Sequence, residues 1–290
     1  MVMSKGDVQM KQVTVVGSGV MGKGIAYSFA IAGFKVYLND LNEEILGKAK
    51  KSIDQLLEGS FEKGFLKEEA YSNAKENLHY EVDLHTAAKD SALVIEAVLE
   101  KMDLKIEIFK RLDKICAPET ILATNTSTMS PTEIGAQTTR PEKIVAMHFF
   151  NPVHKMKLIE VIRGLETSDE TVEFVKAVAG QINKQAVEVN EFPGFVTSRM
   201  NCVIGNEAMN MLMEGVASAE DIDKAMKLGL NHPMGPLELA DLVGLDTRLR
   251  NMEYLYETLG EKYRPCPLLV KYVKAGRLGK KTGSGFYEYT

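Results

Sequence analysis

Two residues have the type and the setting that acid–base chemistry requires. His148 directly follows the apolar residues 144–147, which predict a strand with this imidazole near its carboxyl end. Glu160 lies within the second apolar run 157–162, where a buried carboxylate needs a partner. A hairpin-like return across Asn151-Pro152 would join them as a base and the group that orients it. Spacing alone equally allows an unrelated histidine and a solvated edge carboxylate.

A glycine-rich turn near the start of the chain predicts a dinucleotide site. It joins a predicted strand at 13–16 to a predicted helix at 20–32 and consists of Gly17, Ser18, Gly19, Val20, Met21 and Gly22. In G-x-G-x-x-G, the glycines permit a tight turn, close approach of the pyrophosphate, and close packing of the helix. The phosphates would then lie at the helix N-terminus. The alternative is an ordinary glycine turn.

An acidic residue follows the second predicted strand at the spacing typical of such sites. Asp40 lies 23 positions after Gly17 and is placed to bind the ribose hydroxyls. A carboxylate at this position would repel a 2′-phosphate, so the pattern favours NAD over NADP. The alternative is a solvated aspartate.

A third polar segment ends another predicted strand. Asn125 to Thr128 follow the apolar residues 121–123, and ligands of open α/β sheets bind at the carboxyl ends of strands. Ser127 is therefore a candidate donor to a substrate oxygen. A helix cap before Pro131 explains the same residues equally well. His79 and His85 are expected in a polar connection.

Strands alternating with helical patterns over the first 190 residues predict βαβ units and a largely parallel sheet. The predicted strands are 13–16, 35–38, 93–98, 120–124, 144–149, 158–162 and 186–189. The charged segment 42–77 predicts two helices broken near Gly64. We expect an α/β fold in which residues 1–190 form a Rossmann-type NAD-binding domain.

The chain changes character after Pro193-Gly194, where β-branched runs disappear and apolar residues recur at helical spacing. Pro193-Gly194 is expected to begin a helix, with further helices at 218–228, 236–259 and 267–275. Residues 191–290 are therefore expected to form an all-α domain.

Composition excludes several classes of protein. The 290 residues include 40 acidic and 35 basic side chains, and a net charge of −5 disfavours a general nucleic-acid binder. Three cysteines without C-x-x-C spacing argue against a disulfide framework or a zinc site, and favour a reducing compartment. Residues 1–11 lack the apolar core of a secretory signal, and no apolar run is long enough for a membrane span. A cytoplasmic protein without nucleic-acid, membrane or metal binding is expected.

Six motifs in a fixed order carry a family resemblance. They are Gly17 to Gly22, Asn125 to Ser127, His148 to Pro152, Pro193 to Phe195, His232 to Pro236 and Gly279 to Gly283. With these motifs the chain resembles the L-3-hydroxyacyl-CoA dehydrogenases, including bacterial 3-hydroxybutyryl-CoA dehydrogenases, over essentially its whole length. The resemblance implies an N-terminal dinucleotide-binding domain, a helical C-terminal domain that forms a homodimer, and NAD-dependent interconversion of L-3-hydroxyacyl-CoA and 3-ketoacyl-CoA.

The resemblance also implies roles for single residues. His148 would be the general base on the C3 hydroxyl, Glu160 its partner, and Ser127 a donor to the substrate oxygen. Further implied positions are Glu100, Lys105, Asn125 and Lys281 toward NAD, and Asn151 and Lys63 toward acyl-CoA.

One residue departs from the family pattern. The family usually has asparagine four positions after the glycine of Pro193-Gly194-Phe195, but this chain has Ser198. Serine is shorter and offers one donor instead of two, so Ser198 would hold the substrate oxygen directly or through water, with help from Asn151 or Asn201. This departure affects the expected rate or acyl-chain preference rather than the reaction itself.

Two other functions fit parts of the pattern. A β-hydroxyacid dehydrogenase of the 3-hydroxyisobutyrate type shares the architecture, but would need a catalytic lysine that the segment 193–213 lacks. A non-catalytic, crystallin-like NAD-binding protein would not need His148, Glu160 and Ser127. The sequence fixes neither the chain length of the substrate nor the direction of the reaction.

Overall fold

The computed structural model describes residues 12–289. Its contacts divide the chain into two compact units, of which the first ends at Glu191 and the second begins at Phe192. The expectation of no secretory signal at residues 1–11 concerns a segment outside the described residues.

The first unit is built on an eight-stranded sheet. Its strands are β1 (Gln12–Val16), β2 (Lys35–Asn39), β3 (Leu78–Glu81), β4 (Leu93–Glu96), β5 (Ile121–Thr124), β6 (Ile144–Phe149), β7 (Leu158–Arg163) and β8 (Gln185–Asn190). Their order is β3-β2-β1-β4-β5-β6-β7-β8. Neighbouring strands are parallel except β6 and β7, which are antiparallel. The predicted α/β fold with a largely parallel sheet is confirmed.

Helices accompany both faces of this sheet. They are α1 (Val20–Ile31), α2 (Glu43–Glu62), α3 (Glu68–Asn77), α4 (Leu84–Ala88), α5 (Met102–Ile115), α6 (Pro131–Gly135) and α7 (Asp169–Gln181). Side chains alternate between the two faces of a strand, so β4 contributes Leu93 and Ile95 to one apolar cluster and Val94 to another. Burial on both faces explains why the central strands are continuous apolar runs rather than alternating ones.

The segment expected to be a polar connection contains regular structure. His79 lies in β3 and His85 in α4, so that prediction was wrong. Strand β3 is only partly buried and carries polar side chains, because it lies at an edge of the sheet where one side has no neighbouring strand. Sequence periodicity is weakest in such short, half-exposed strands.

The second unit is helical, as predicted. Its helices are α8 (Thr197–Met213), α9 (Ala219–Gly229), α10 (Pro236–Val243), α11 (Leu245–Leu259) and α12 (Pro267–Lys274). The single helix predicted over 236–259 is wrong, because Gly244 adopts a φ of +100° and separates α10 from α11. Pro193-Gly194 does not begin a helix either: Gly194 has a φ of +78°, and α8 begins three residues later at Thr197.

A buried aspartate fastens the end of the chain onto α10. Asp241 is fully buried and accepts hydrogen bonds from the backbone N–H groups of Phe286 and Tyr287 at 3.0 and 2.9 Å. Burial raises the pKa of this carboxyl. A Cβ on Gly285 would lie 2.1 Å from its Oδ1, so the glycine is required by close approach. Gly279 of the C-terminal motif is constrained in the same way, because its Cβ would lie 2.3 Å from the carbonyl oxygen of Asp241.

Candidate active site

The pairing of β6 with β7 places the candidate base opposite the candidate acid. His148 and Glu160 are register partners in the antiparallel pair, and Nδ1 of His148 lies 2.8 Å from Oε2 of Glu160. The Glu160 side chain is 1% exposed and that of His148 is 9% exposed. The two side chains that the sequence singled out are therefore in direct contact.

His148 sits near the carboxyl end of β6, on the opposite face from its neighbours. Met147 and Phe149 pack into the apolar cluster that includes α1 and α7, and alternation turns the imidazole between them to the other face. The ring of Phe150 lies 4.5 Å from the imidazole, measured between centroids. Packing and the carboxylate together fix the orientation of the imidazole.

The glycine-rich turn lies at the carboxyl end of β1, two strands from β5. Gly17 has a φ of +99°, and a Cβ on Gly22 would lie 1.7 Å from the carbonyl oxygen of Gly17. A Cβ on Gly19, by contrast, would meet no described atom within 4 Å. Among the described residues no side chain caps the N-terminus of α1, which begins at Val20 and continues with Met21. Open space before an uncapped helix N-terminus fits a pyrophosphate.

Asp40 lies beside this turn, at the carboxyl end of β2. Its Oδ2 accepts hydrogen bonds from the backbone N–H and the hydroxyl of Ser18, at 2.7 and 2.6 Å. Its Oδ1 accepts a bond from the N–H of Leu41 at 2.7 Å. Two carboxylate oxygens offer about four acceptor sites, so Asp40 keeps capacity for a ribose hydroxyl. The turn and the acid fit the adenosine half of a dinucleotide.

The segment after β5 is held by Glu100 and by the end of β6. Glu100 accepts hydrogen bonds from the hydroxyl of Thr126 and from the N–H of Ser127, the latter at 3.0 Å. Oδ1 of Asn125 accepts the N–H of Phe149 at 2.9 Å, which ties the ends of β5 and β6 together. The helix cap proposed as the alternative role for Ser127 belongs to another residue, because Ser130 caps α6.

Close to this segment lies a cluster of ion pairs. The family resemblance predicted two of its members, Glu100 and Lys105, as functional residues. Lys105 is fully buried, and its ammonium contacts Glu96 at 2.8 Å and Glu100 at 3.1 Å. Glu96, also fully buried, is the last residue of β4 and was missed. The signal that identified Glu160, an acid at the end of or within an apolar run, was present at residues 93–96 as well.

The loop after β6 packs against helix α1, which follows the glycine-rich turn. A Cβ on Gly24 of α1 would lie 2.8 Å from the side chain of Val153. From the other side, the buried Lys184 donates to the carbonyl oxygens of Val153 and Met156 at 2.6 and 2.7 Å. Burial lowers the pKa of this lysine. The loop is thus held between α1 and the turn before β8.

The remaining predicted residues lie elsewhere in their units. Asn151 is exposed and precedes Pro152 through a cis peptide bond, and Lys63 is exposed at the C-terminus of α2. In the helical unit, Ser198 lies in the first turn of α8. Lys281 pairs with Asp246 at 2.5 Å.

Across residues 12–289 no three His, Cys, Asp or Glu side chains are grouped as a metal site would require. No helix in this part of the chain combines the length and the apolar character needed to cross a membrane.

Comparisons with known proteins agree with this geometry. Residues 12–192 match the family described as 3-hydroxyacyl-CoA dehydrogenase, NAD binding domain, and residues 194–289 match its C-terminal domain. A relative from Bacillus subtilis, named probable 3-hydroxybutyryl-CoA dehydrogenase, is 52% identical over 97% of this chain and 98% of its own length. The human mitochondrial hydroxyacyl-coenzyme A dehydrogenase is 41% identical over 97% and 91%.

A solved structure shows the same similarity. The crystal structure of (S)-3-hydroxybutyryl-CoA dehydrogenase from Ralstonia eutropha matches with a TM-score of 0.94 and 43% identity. It covers 97% of this chain and 100% of that one. The predicted cofactor, NAD, is confirmed by the family of the first unit.

Two alanine substitutions separate the glycine that packing requires from the one that we expect to face the pyrophosphate. We expect Gly19→Ala to keep the free energy of unfolding within about 0.5 kcal/mol, because its Cβ meets open space. NAD affinity should fall by about tenfold or more, or 1.4 kcal/mol, because the methyl group would displace the pyrophosphate. Calorimetric titration with NAD and urea unfolding provide both quantities.

The matched variant is Gly22→Ala, whose Cβ would overlap the carbonyl of Gly17. This variant should lose about 2 kcal/mol or more of stability. Undiminished NAD binding by Gly19→Ala would show that the pyrophosphate does not lie at this turn.

Proposed function

Because the chain belongs to the 3-hydroxyacyl-CoA dehydrogenase family, we propose that His148 and Glu160 carry out the proton transfer of its NAD-dependent reaction. The substrate pair is L-3-hydroxybutyryl-CoA and acetoacetyl-CoA, and the reaction runs in either direction. The observation that carries this proposal is the buried 2.8 Å contact between Nδ1 of His148 and Oε2 of Glu160. The human and Bacillus subtilis relatives are both named as dehydrogenases of hydroxyacyl-CoA compounds.

The contact with Glu160 supports different tasks for the two ring nitrogens of His148. Nδ1 is engaged by Glu160, so Nε2 is the nitrogen that takes the proton of the C3 hydroxyl during oxidation. Glu160 stabilises the imidazolium that forms, and its burial strengthens that interaction. Ser127 donates a hydrogen bond to the oxygen as it becomes a carbonyl. NAD, when bound, supplies the acceptor for the hydride that leaves C3.

The remaining predicted residues receive the roles that the family resemblance implies. Lys63, exposed at the end of α2, provides a positive charge for the CoA phosphates, and Asn151 and Ser198 provide polar contacts to the acyl end. Lys281 and Asn125 are assigned to NAD. A short acyl chain is favoured by the names of the Bacillus subtilis and Ralstonia eutropha relatives. The three free, buried cysteines support a location in the reducing cytoplasm.

Removing the base or its partner should lower kcat without weakening NAD binding. We expect His148→Ala to reduce kcat by about 10²- to 10⁴-fold and Glu160→Gln by about 10²-fold, because proton transfer is lost or uncharged glutamine no longer stabilises the imidazolium. The assay follows the loss of NADH absorbance with acetoacetyl-CoA as substrate. His85→Ala, at an exposed position on α4, is the control and should retain the wild-type rate.

An undiminished rate in His148→Ala with normal NAD affinity would refute the assignment. The same assay separates the other functions that the sequence allowed. Neither a dehydrogenase of the 3-hydroxyisobutyrate type nor a non-catalytic NAD-binding protein would oxidise NADH with acetoacetyl-CoA.

Restoring the family asparagine tests the role of Ser198. We expect Ser198→Asn to lower KM for acetoacetyl-CoA about fivefold, the equivalent of one added hydrogen bond, while KM for NADH stays unchanged. Steady-state kinetics with each substrate varied in turn measure both constants, and a series of longer 3-ketoacyl-CoAs shows whether chain preference moves as well. Equal KM values for the two proteins would remove Ser198 from the substrate contacts.

Exposed apolar side chains support a homodimer formed by the helical unit. Nine large apolar residues of that unit are at least 40% exposed: Phe192, Val196, Met200, Met213, Val216, Leu228, Leu230, Leu242 and Val243. Large apolar residues are enriched at the centres of homodimer interfaces. Light scattering during size-exclusion chromatography at micromolar concentration should give the mass of a dimer, and a monomer would contradict the proposal.

A further inference from the structure

Glu96 is a fully buried carboxylate to which the reaction assigns no task. It ends β4 and accepts hydrogen bonds from the N–H of Val98 and the hydroxyl of Thr124, both at 2.7 Å. The ammonium of Lys105 completes its coordination at 2.8 and 3.0 Å. Burying an ionised carboxylate costs free energy even with such partners. We therefore ask what the negative charge of Glu96 contributes to function.

The cluster around Lys105 contains one more negative charge than positive. Lys105 also contacts Glu100 at 3.1 Å, so two carboxylates share a single ammonium and the formal charge of the three groups is −1. Glu96 and Lys105 are fully buried, whereas the side chain of Glu100 is 31% exposed. Water therefore screens this net charge only weakly.

The cluster lies where the reacting half of the cofactor must extend. With its adenosine half bound beside Asp40 and Ser18, at the β2 side of the glycine turn, a dinucleotide would extend its nicotinamide half across β4 and β5 toward His148 on β6. Glu96 stands at the end of β4, paired in register with Val16 of β1 and Thr124 of β5. This placement rests on the function proposed above.

We propose that Glu96 is a positioning residue whose buried charge, acting through Lys105 and Glu100, favours the oxidised over the reduced cofactor. The oxidised nicotinamide ring carries a positive charge, and the reduced ring is neutral. A net negative cluster nearby therefore stabilises NAD⁺ and leaves NADH almost unaffected. Contacts that both forms share cancel in the ratio of their dissociation constants, so this ratio reports the charge effect alone.

The test measures binding of each nucleotide in the absence of acyl-CoA. Fluorescence titration gives Kd for NADH, and displacement of NADH gives Kd for NAD⁺. In Glu96→Gln we expect the ratio of Kd for NAD⁺ to Kd for NADH to rise about tenfold, because one buried charge is removed. Thr124→Val is the control, since it removes one hydrogen bond to the same carboxylate but keeps its charge, and its ratio should stay within about twofold of wild type.

A structural role would give a different result. If Glu96 only braced the fold, both nucleotides would lose affinity in parallel, and an unchanged ratio in Glu96→Gln would overturn the proposal. If circular dichroism shows that Glu96→Gln does not fold, Glu100→Gln decides, because it removes the same unit of charge from the more exposed member of the cluster. Its ratio should rise in the same direction by a smaller factor, and no rise would likewise overturn the proposal.

The same titrations distinguish this inference from the proposed function. A wild-type protein that binds both nucleotides, together with variants of unchanged ratio, refutes the role of Glu96 and leaves the assignment of His148 intact. A wild-type protein that binds neither nucleotide refutes the proposed cofactor site and this inference together.

Discussion

The reversal of chain direction between β6 and β7 is the constraint on which the site depends. In a wholly parallel sheet, neighbouring strand ends meet at one edge, but residues only twelve positions apart could not become register partners, because a parallel crossover needs a longer connection. The antiparallel pair makes His148 and Glu160 direct neighbours on one face. The pairing of the two strands itself places the imidazole beside the buried carboxylate, so the orientation of the imidazole does not depend on a flexible loop.

Two buried carboxylates at this end of the sheet show how the choice of partner determines what an acid does. Glu160 faces the imidazole of His148, the base of the proposed proton transfer. Glu96 faces the ammonium of Lys105, which it shares with Glu100. The first arrangement suits a group that takes and returns a proton, and the second provides a fixed field. Under the proposals above, the carboxyl ends of neighbouring strands therefore hold one group that exchanges a proton and one that keeps its charge.

The parts of the fold that follow a strong local pattern could be predicted from the sequence. The glycine-rich turn, the central strands and the two helices flanking Gly64 follow from burial on both faces or from helical periodicity. The break at Gly244 was missed because apolar spacing continues from α10 into α11, and only the backbone conformation shows the interruption. Strand β3 was missed because an edge strand does not require apolar residues on both faces.

The candidate site was predictable where the type of a residue and its neighbours in the sequence together indicate a single kind of chemistry. His148 and Glu160 satisfied that condition, although only the strand pairing decided between contact and separation. Glu96 satisfied it equally, but its partner Lys105 lies on a helix whose pattern resembles an ordinary amphipathic surface. Ser198 and Lys281 depended on resemblance, since nothing in their local pattern distinguishes them from surface residues.

The fit of Val153 against Gly24 has a consequence for attempts to exchange cofactor-binding segments between relatives. Helix α1 and the loop after β6 pack against each other at Gly24 and Val153, and Lys184 holds the other side of the loop. A donor segment that carried a larger residue in place of Gly24 would push directly on the loop adjoining β6. A chimaera that exchanges β1 and α1 should therefore exchange residues 151–156 as well. If only one of the two segments came from the relative, Gly24 and Val153 would no longer be a matched pair.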